Sequence, residues 1–92
     1  MIPRKAKRDA NEAEIVKALR QAGASVYLID QPCDALVGFR NRTYLAEFKD
    51  RKGKLTAPQA KFTEEWRGQV PEILRSVDDA LDWINSPARR GL

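Results

Sequence analysis

The chain of 92 residues contains no histidine and a single cysteine, Cys33. Zinc sites and Ser-His or Cys-His catalytic pairs are therefore excluded. One cysteine cannot close an internal disulfide, and a small chain without such staples is expected in a reducing, cytoplasmic compartment. There is no run of about 18 apolar residues, so no membrane partner is expected. The basic start of the chain has no apolar stretch behind it and does not read as a secretory leader. The length suits one domain and argues against a large enclosed cofactor pocket, because a chain this short buries only about 60–65% of its unfolded surface. Apolar residues at 42% and charged residues at 33% mark a soluble globular fold and not a disordered one. Any chemistry must then fall to carboxylates and lysines.

The net charge of +4 is unevenly spread. Arg4, Lys5, Lys7 and Arg8 form a basic arm over residues 1–8 without an acid, and Arg89 and Arg90 make a basic C-terminal tail over 87–92. Between them, Arg40, Arg42, Lys49, Arg51, Lys52 and Lys54 face only Glu47 and Asp50 in the central segment. A basic arm with a basic centre suits a polyanion, since each phosphate contact releases a condensed counterion. Ordinary solubilising charge is the plainer account of the arm.

Hydrophobic period and punctuation divide residues 9–86 into seven elements of one domain. Residues 9–22 read as a helix with Asp9 as N-cap, Ile15, Val16 and Leu19 as apolar stripe, and Gly23 just past its end. Residues 24–29 and 33–39 read as strands separated by Pro32, and residues 42–49 as a third strand after an Arg40-Asn41 turn. A basic loop around Gly53 leads to a helix over 56–66, where Thr56 and Gln59 form a capping-box signature. Residues 70–74 make a short strand that Pro71 places near an edge. Ser76 caps a last helix with Val77, Ala80, Leu81 and Ile84 on its apolar face. The order αβββαβα makes one α/β unit.

The hairpin carries the functional expectation. With Arg40 and Asn41 as a two-residue turn, Phe39 pairs with Arg42, and Asp34 falls opposite Glu47 on one face, their Cβ atoms about 4.5–5.5 Å apart. Lys49, two residues beyond Glu47, shares that face, while Tyr44, Ala46 and Phe48 point to the other. Directly opposed like charges are destabilising, so either a divalent cation or a salt bridge from Lys49 must offset the cost. A three-residue turn would put the two acids on opposite faces. On the first helix, at about 100° per residue, Glu12 falls on the stripe of Ile15, Val16 and Leu19, whereas Glu14 points away. A carboxylate there either joins the site or snorkels to water while favouring the helix dipole. Gln59, three residues before Phe62 and seven before Trp66, faces the sheet, although its capping-box role alone explains its presence.

The Asp34…Glu47-Phe48-Lys49 pattern resembles the PD-(D/E)xK nuclease motif. Asn11-Glu12-Ala13-Glu14-Ile15-Val16 leading to Ala22-Gly23, Pro32-Cys33-Asp34-Ala35-Leu36-Val37-Gly38, Leu55-Thr56-Ala57-Pro58-Gln59, Trp66-Arg67-Gly68 and Ser76-Val77-Asp78-Asp79-Ala80-Leu81 are similar to the viral replication-repair (VRR-NUC) branch, in its short phage-type stand-alone form. The likeness spans residues 9–84. Two features depart from the family pattern: Cys33 intervenes between Pro32 and Asp34, and Leu28-Ile29-Asp30-Gln31 stands where many relatives carry a glycine-rich basic loop.

The resemblance implies a restriction-endonuclease-like core, a mixed sheet flanked by helices, and a structure-selective DNA endonuclease, such as a Holliday-junction resolvase. It implies Mg2+ or Mn2+ held by Asp34, Glu47 and the Phe48 carbonyl, Lys49 as the catalytic lysine, and Glu12 and Gln59 as further active-site residues. Lys49 would orient or deprotonate water, or stabilise transition-state charge; Glu12 would hold a second metal or bond a metal-bound water. Arg40, Arg42, Arg51, Lys52 and Lys54 are expected on backbone phosphates, which positions a strand without reading bases. Branched DNA and a homodimer presenting two sites to two strands are the implied partners. The competing expectation is a nucleic-acid binding module that keeps the fold without cutting. A small scaffold whose charges only solvate it is a third.

Overall fold

The computed structural model describes residues 11–92. The basic arm over residues 1–8 and the Asp9 cap lie outside the described residues.

Alternation and capping produce seven elements: α1 (Glu12–Gln21), β1 (Ser25–Leu28), β2 (Ala35–Phe39), β3 (Arg42–Phe48), α2 (Ala57–Glu65), β4 (Glu72–Leu74) and α3 (Val77–Ile84). The expected order αβββαβα is thus present. Asn11 occupies the N-cap position of α1, and its side chain makes no cap bond there. Gly23 follows α1 with φ +103°, a conformation that L side chains rarely adopt, which is why the helix stops where it does. Thr56 and Gln59 form a complete capping box on α2, and the Ser76 hydroxyl accepts from Asp79 N–H on α3.

The strands form one sheet in the order β1-β2-β3-β4. β1, β2 and β3 run antiparallel, while β4 is parallel to β3. A parallel pair needs a crossover, and α2 supplies it. β4 is an edge strand, so Pro71 just before it leaves no central ladder bond unmade. The opposite edge, β1, is blunted because Arg20 Nη2 donates to the outward Val26 carbonyl at 2.8 Å.

Period-two alternation sends Val26, Ala35, Val37, Tyr44, Ala46, Phe48 and Leu74 to one face of the sheet, where α1 and α3 cover them with Ile15, Val16, Leu19, Ala80, Trp83 and Ile84. Tyr44 meets Trp83 edge-on at 5.4 Å between ring centroids. None of the residues of α2 is fully buried, and the helix lies against the other face, on the Glu47 and Ile73 side. Among the described residues no helix is long and apolar enough to cross a membrane.

Several expectations need correction: β4 begins only at Glu72, after Val70 and Pro71, and β3 ends at Phe48, before Lys49. Cys33 and Asp34 precede β2 and do not lie within it. Trp66 is not helical but extended, with φ −73° and ψ 127°, so α2 ends one residue earlier than its pattern implied. Residues 87–92 do not form a free basic tail. Arg89 bonds Glu72, Asp79 and Asp82, at 3.0, 2.7 and 3.0 Å. Burial acts against the Arg89 guanidinium, but its hydrogen bonds to Asp79 and Glu72 outweigh it and hold the pKa above the ordinary arginine value. Arg90 is 3% exposed, donates to the Tyr44 hydroxyl at 2.9 Å and lies 5.0 Å from the Phe39 ring centroid.

Candidate active site

The turn between β2 and β3 sets the register of the hairpin. Arg40 and Asn41 have φ of 50° and 67°, the paired left-handed conformation of a two-residue hairpin turn. Phe39 pairs with Arg42 and Ala35 with Ala46, and there the ladder ends; Asp34 lies just before it and donates its backbone N–H to the Ala46 carbonyl at 3.1 Å, so the expected Asp34–Glu47 pair is not part of the register. Glu47 lines a hollow on the α2 side of the sheet, and the charges of both acids reach the Cys33 thiol. Both are buried, Asp34 to 7% exposure and Glu47 to 2%.

Each acid is held by defined donors. Asp34 Oδ2 accepts from Phe48 N–H at 2.8 Å, which ties the loop before β2 to the end of β3. Glu47 Oε1 accepts a short hydrogen bond from the Gln59 side-chain amide and stands 3.9 Å from Lys49 Nζ. At that separation Lys49 and Glu47 form an ion pair but not a hydrogen bond. Gln59 performs both roles that its position allowed. Its oxygen accepts from Thr56 N–H at 2.9 Å while its nitrogen donates to Glu47. A helix N-terminus and a buried carboxylate are thus joined by one amide.

Cys33 adjoins the pair and is buried, its thiol donating to the Ala35 carbonyl at 3.6 Å. Burial, foremost, raises the thiol pKa above its ordinary value, and the negative charges of Glu47 and Asp34 push the same way. The thiol is therefore neutral, a packing group and not a nucleophile.

Two residues that no motif singled out as acting here position Lys49 and the loop after it. Asn11 Nδ2 donates to the Lys49 carbonyl at 3.1 Å and to the Arg75 carbonyl at 2.7 Å. Arg75 Nη1 donates to the Asp50 and Gly53 carbonyls at 2.8 and 2.6 Å, clamping the basic loop. Asn11 does lie within a stretch on which the family likeness rests, which was the only signal available. Arg75 had none.

Asp34 and Glu47 offer carboxylate oxygens, hard ligands of the kind that suit Mg2+ or Mn2+. Glu12 is half-buried and Glu14 exposed, as the stripe required. Glu12 lines a cavity of about 480 Å³ with Val16, Arg20 and Leu28. Among the described residues no group of three acidic or cysteine side chains could hold a metal ion, so Glu12 does not complete a cluster with Asp34 and Glu47.

The five basic residues expected on phosphates divide into two groups. Arg51, Lys52 and Lys54 are exposed in the loop directly after Lys49. Arg40 and Arg42 sit at the turn, Arg42 about 17 Å from Glu47 along the hairpin at roughly 3.4 Å per residue. Arg40 packs over the Phe39 ring at 5.2 Å. The chain matches no protein-family model, no curated protein and no solved structure.

Proposed function

We propose that this chain is a metal-dependent, structure-selective DNA endonuclease of the VRR-NUC type within the PD-(D/E)xK superfamily, with a restriction-endonuclease-like core. The observation that carries the reading is the burial of Asp34 and Glu47 around Cys33 at one end of the β2–β3 hairpin, with Lys49 Nζ 3.9 Å from Glu47. Two neighbouring buried carboxylates weaken a fold unless a task retains them.

Asp34, Glu47 and the Phe48 carbonyl would hold Mg2+ or Mn2+, which supplies a nucleophilic water at neutral pH and neutralises phosphate oxygens. The remaining work belongs to the chain. Gln59 keeps Glu47 from swinging away by anchoring it to the first turn of α2. Asn11 fixes the backbone at Lys49, so the ammonium stands at the mouth of the pair, where it can meet the scissile phosphate. Arg51, Lys52 and Lys54 bind the strand on the side of that phosphate, and Arg42 at the turn meets it about 24 Å from Lys49 at roughly 3.4 Å per residue, with Arg40 beside it. Branched or junction DNA is the substrate class, and a cytoplasmic homodimer would present two such sites to two strands.

The second reading, a nucleic-acid binding module, draws on one observation: among the described residues no three acids gather into a metal cluster. A labelled four-way junction and a matching duplex, incubated with Mg2+, Mn2+ or EDTA, separate the two. The endonuclease cleaves the junction only with metal and loses cleavage in Lys49→Ala. Junction binding without cleavage under every condition refutes it and leaves the binding module.

A further inference from the structure

Gln59 and Phe62 stand between two adjoining hollows on the α2 side of the sheet. One, of about 180 Å³, is lined by Glu47, Leu55, Val70 and Ile73 among others. The other, of about 400 Å³, is lined by Asp30, Gln31, Thr56 and Pro58. Pro32, Gln59 and Phe62 line both, and the smaller hollow reaches the buried Glu47.

Phe62 also stacks on Trp66, with centroids 5.1 Å apart and planes inclined by 27°. Trp66 is 47% exposed, although the other tryptophan, Trp83, is fully buried. Its orientation is set from a second side as well. A Cβ on Gly68 would lie 2.7 Å from Trp66 Nε1, so only glycine leaves the indole its place. An aromatic ring that is oriented by two neighbours yet left nearly half in water, one ring removed from the hollow that Glu47 lines, is built to receive another flat ring. The exposed Arg51, Lys52 and Lys54 lie in the loop that leads into α2, at the other end of that helix from Trp66 and about 14 Å away at roughly 1.5 Å per residue, where they complement phosphates of a strand that reaches the ring.

We infer that Trp66, backed by Phe62, is a stacking platform for an unpaired nucleobase of the strand that passes Lys49. The inference rests on the nucleic-acid reading above and extends it: the bound nucleic acid carries an unstacked nucleotide near the hollow that Glu47 lines. A base in a continuous duplex has both faces occupied and cannot use the platform, whereas one at a branch, flap or single strand can.

Intrinsic fluorescence tests this without turnover, because Trp83 is buried and Trp66 is the exposed emitter. The full chain is titrated in EDTA with a thymidine strand of about 12 nucleotides, an abasic strand of the same length and a blunt duplex. The thymidine strand should quench emission in the native chain but not in Trp66→Phe. Trp66→Ala should bind it at least about fivefold more weakly, the low end of one base–aromatic stack. Trp66→Phe should regain most of that affinity, and duplex binding should stay within about twofold, because phosphate contacts are untouched. The abasic strand should bind the native chain as weakly as the thymidine strand binds Trp66→Ala.

Equal affinity of the native chain for abasic and thymidine strands overturns the proposal, whether or not the alanine variant folds. So does a loss in Trp66→Ala that is the same for strand and duplex. A second copy covering the ring would show as dissociation of a dimer in Trp66→Ala with the DNA titration unmoved, and that also overturns it. Base-dependent quenching without metal-dependent cleavage would keep the platform and refute the endonuclease.

Discussion

Gln59→Glu isolates the contact that joins α2 to the buried acid. The substituted carboxylate still accepts from Thr56 N–H, as a capping-box glutamate does, and it is favoured at a helix N-terminus. What it cannot do is donate to Glu47. A hydrogen bond to a charged group is replaced by two carboxylates in contact, one of them 2% exposed. Loss of such a bond costs about 1.5–3 kcal/mol. For a chain of this length each kcal/mol lowers Tm by about 4–8 °C, so the variant should melt about 6–24 °C below the native protein at pH 8. Two carboxylates in contact share a proton, which raises a folded-state pKa above the unfolded value of about 4.3. The contact is therefore tolerated below that pH, and stability is lost as pH rises through the raised value. Thermal melts in EDTA at pH 5 and pH 8 should show a gap between variant and native protein that widens with pH. Thr56→Ala, which breaks only the cap, should cost about 1 kcal/mol at both. A Gln59→Glu gap of equal size at pH 5 and pH 8, or no gap at pH 8, would refute the coupling.

Asp34→Asn keeps an oxygen for Phe48 N–H and removes one of two buried negative charges around Cys33, so its Tm in EDTA should equal or exceed that of the native protein. Asp34→Ala orphans that buried N–H and should cost about 1–3 kcal/mol; if both variants melt equally low, the charge itself holds the fold and the carboxylate is not kept for a metal. Burial holds the Cys33 proton past the ordinary thiol value of 9.0, so in alkaline solution the unfolded chain ionises first. Stability from this group is complete below about pH 9 and falls as pH rises towards the folded value, and urea titrations should show a steeper alkaline decline in the native protein than in Cys33→Ala. An identical decline in both would refute that assignment.

Much of the candidate site was legible before any coordinates. A two-residue turn with period-two alternation leaves one register for β2 and β3, from Phe39 opposite Arg42 to Ala35 opposite Ala46, whereas the place of Asp34, beyond the end of that ladder, was not fixed by it. The helical period separated Glu12 from Glu14, and Thr56 with Gln59 announced the start of α2. These conclusions depend on residues close in sequence, whose spacing is set by backbone geometry that every chain shares. The tertiary structure decided the rest. Gln59 reaches Glu47 only because the crossover lays α2 over that end of the sheet, and Asn11 reaches the Lys49 and Arg75 carbonyls, 38 and 64 residues away, only because α1 docks where β3 and β4 end. Arg89 and Arg90 read as tail charge because a basic pair looks the same in sequence whether it meets water or finds Glu72, Asp79 and the Tyr44 hydroxyl. Whether Glu12 joins the other acids likewise turns on the placement of α1, which follows from packing among distant side chains and leaves no periodic mark in the sequence.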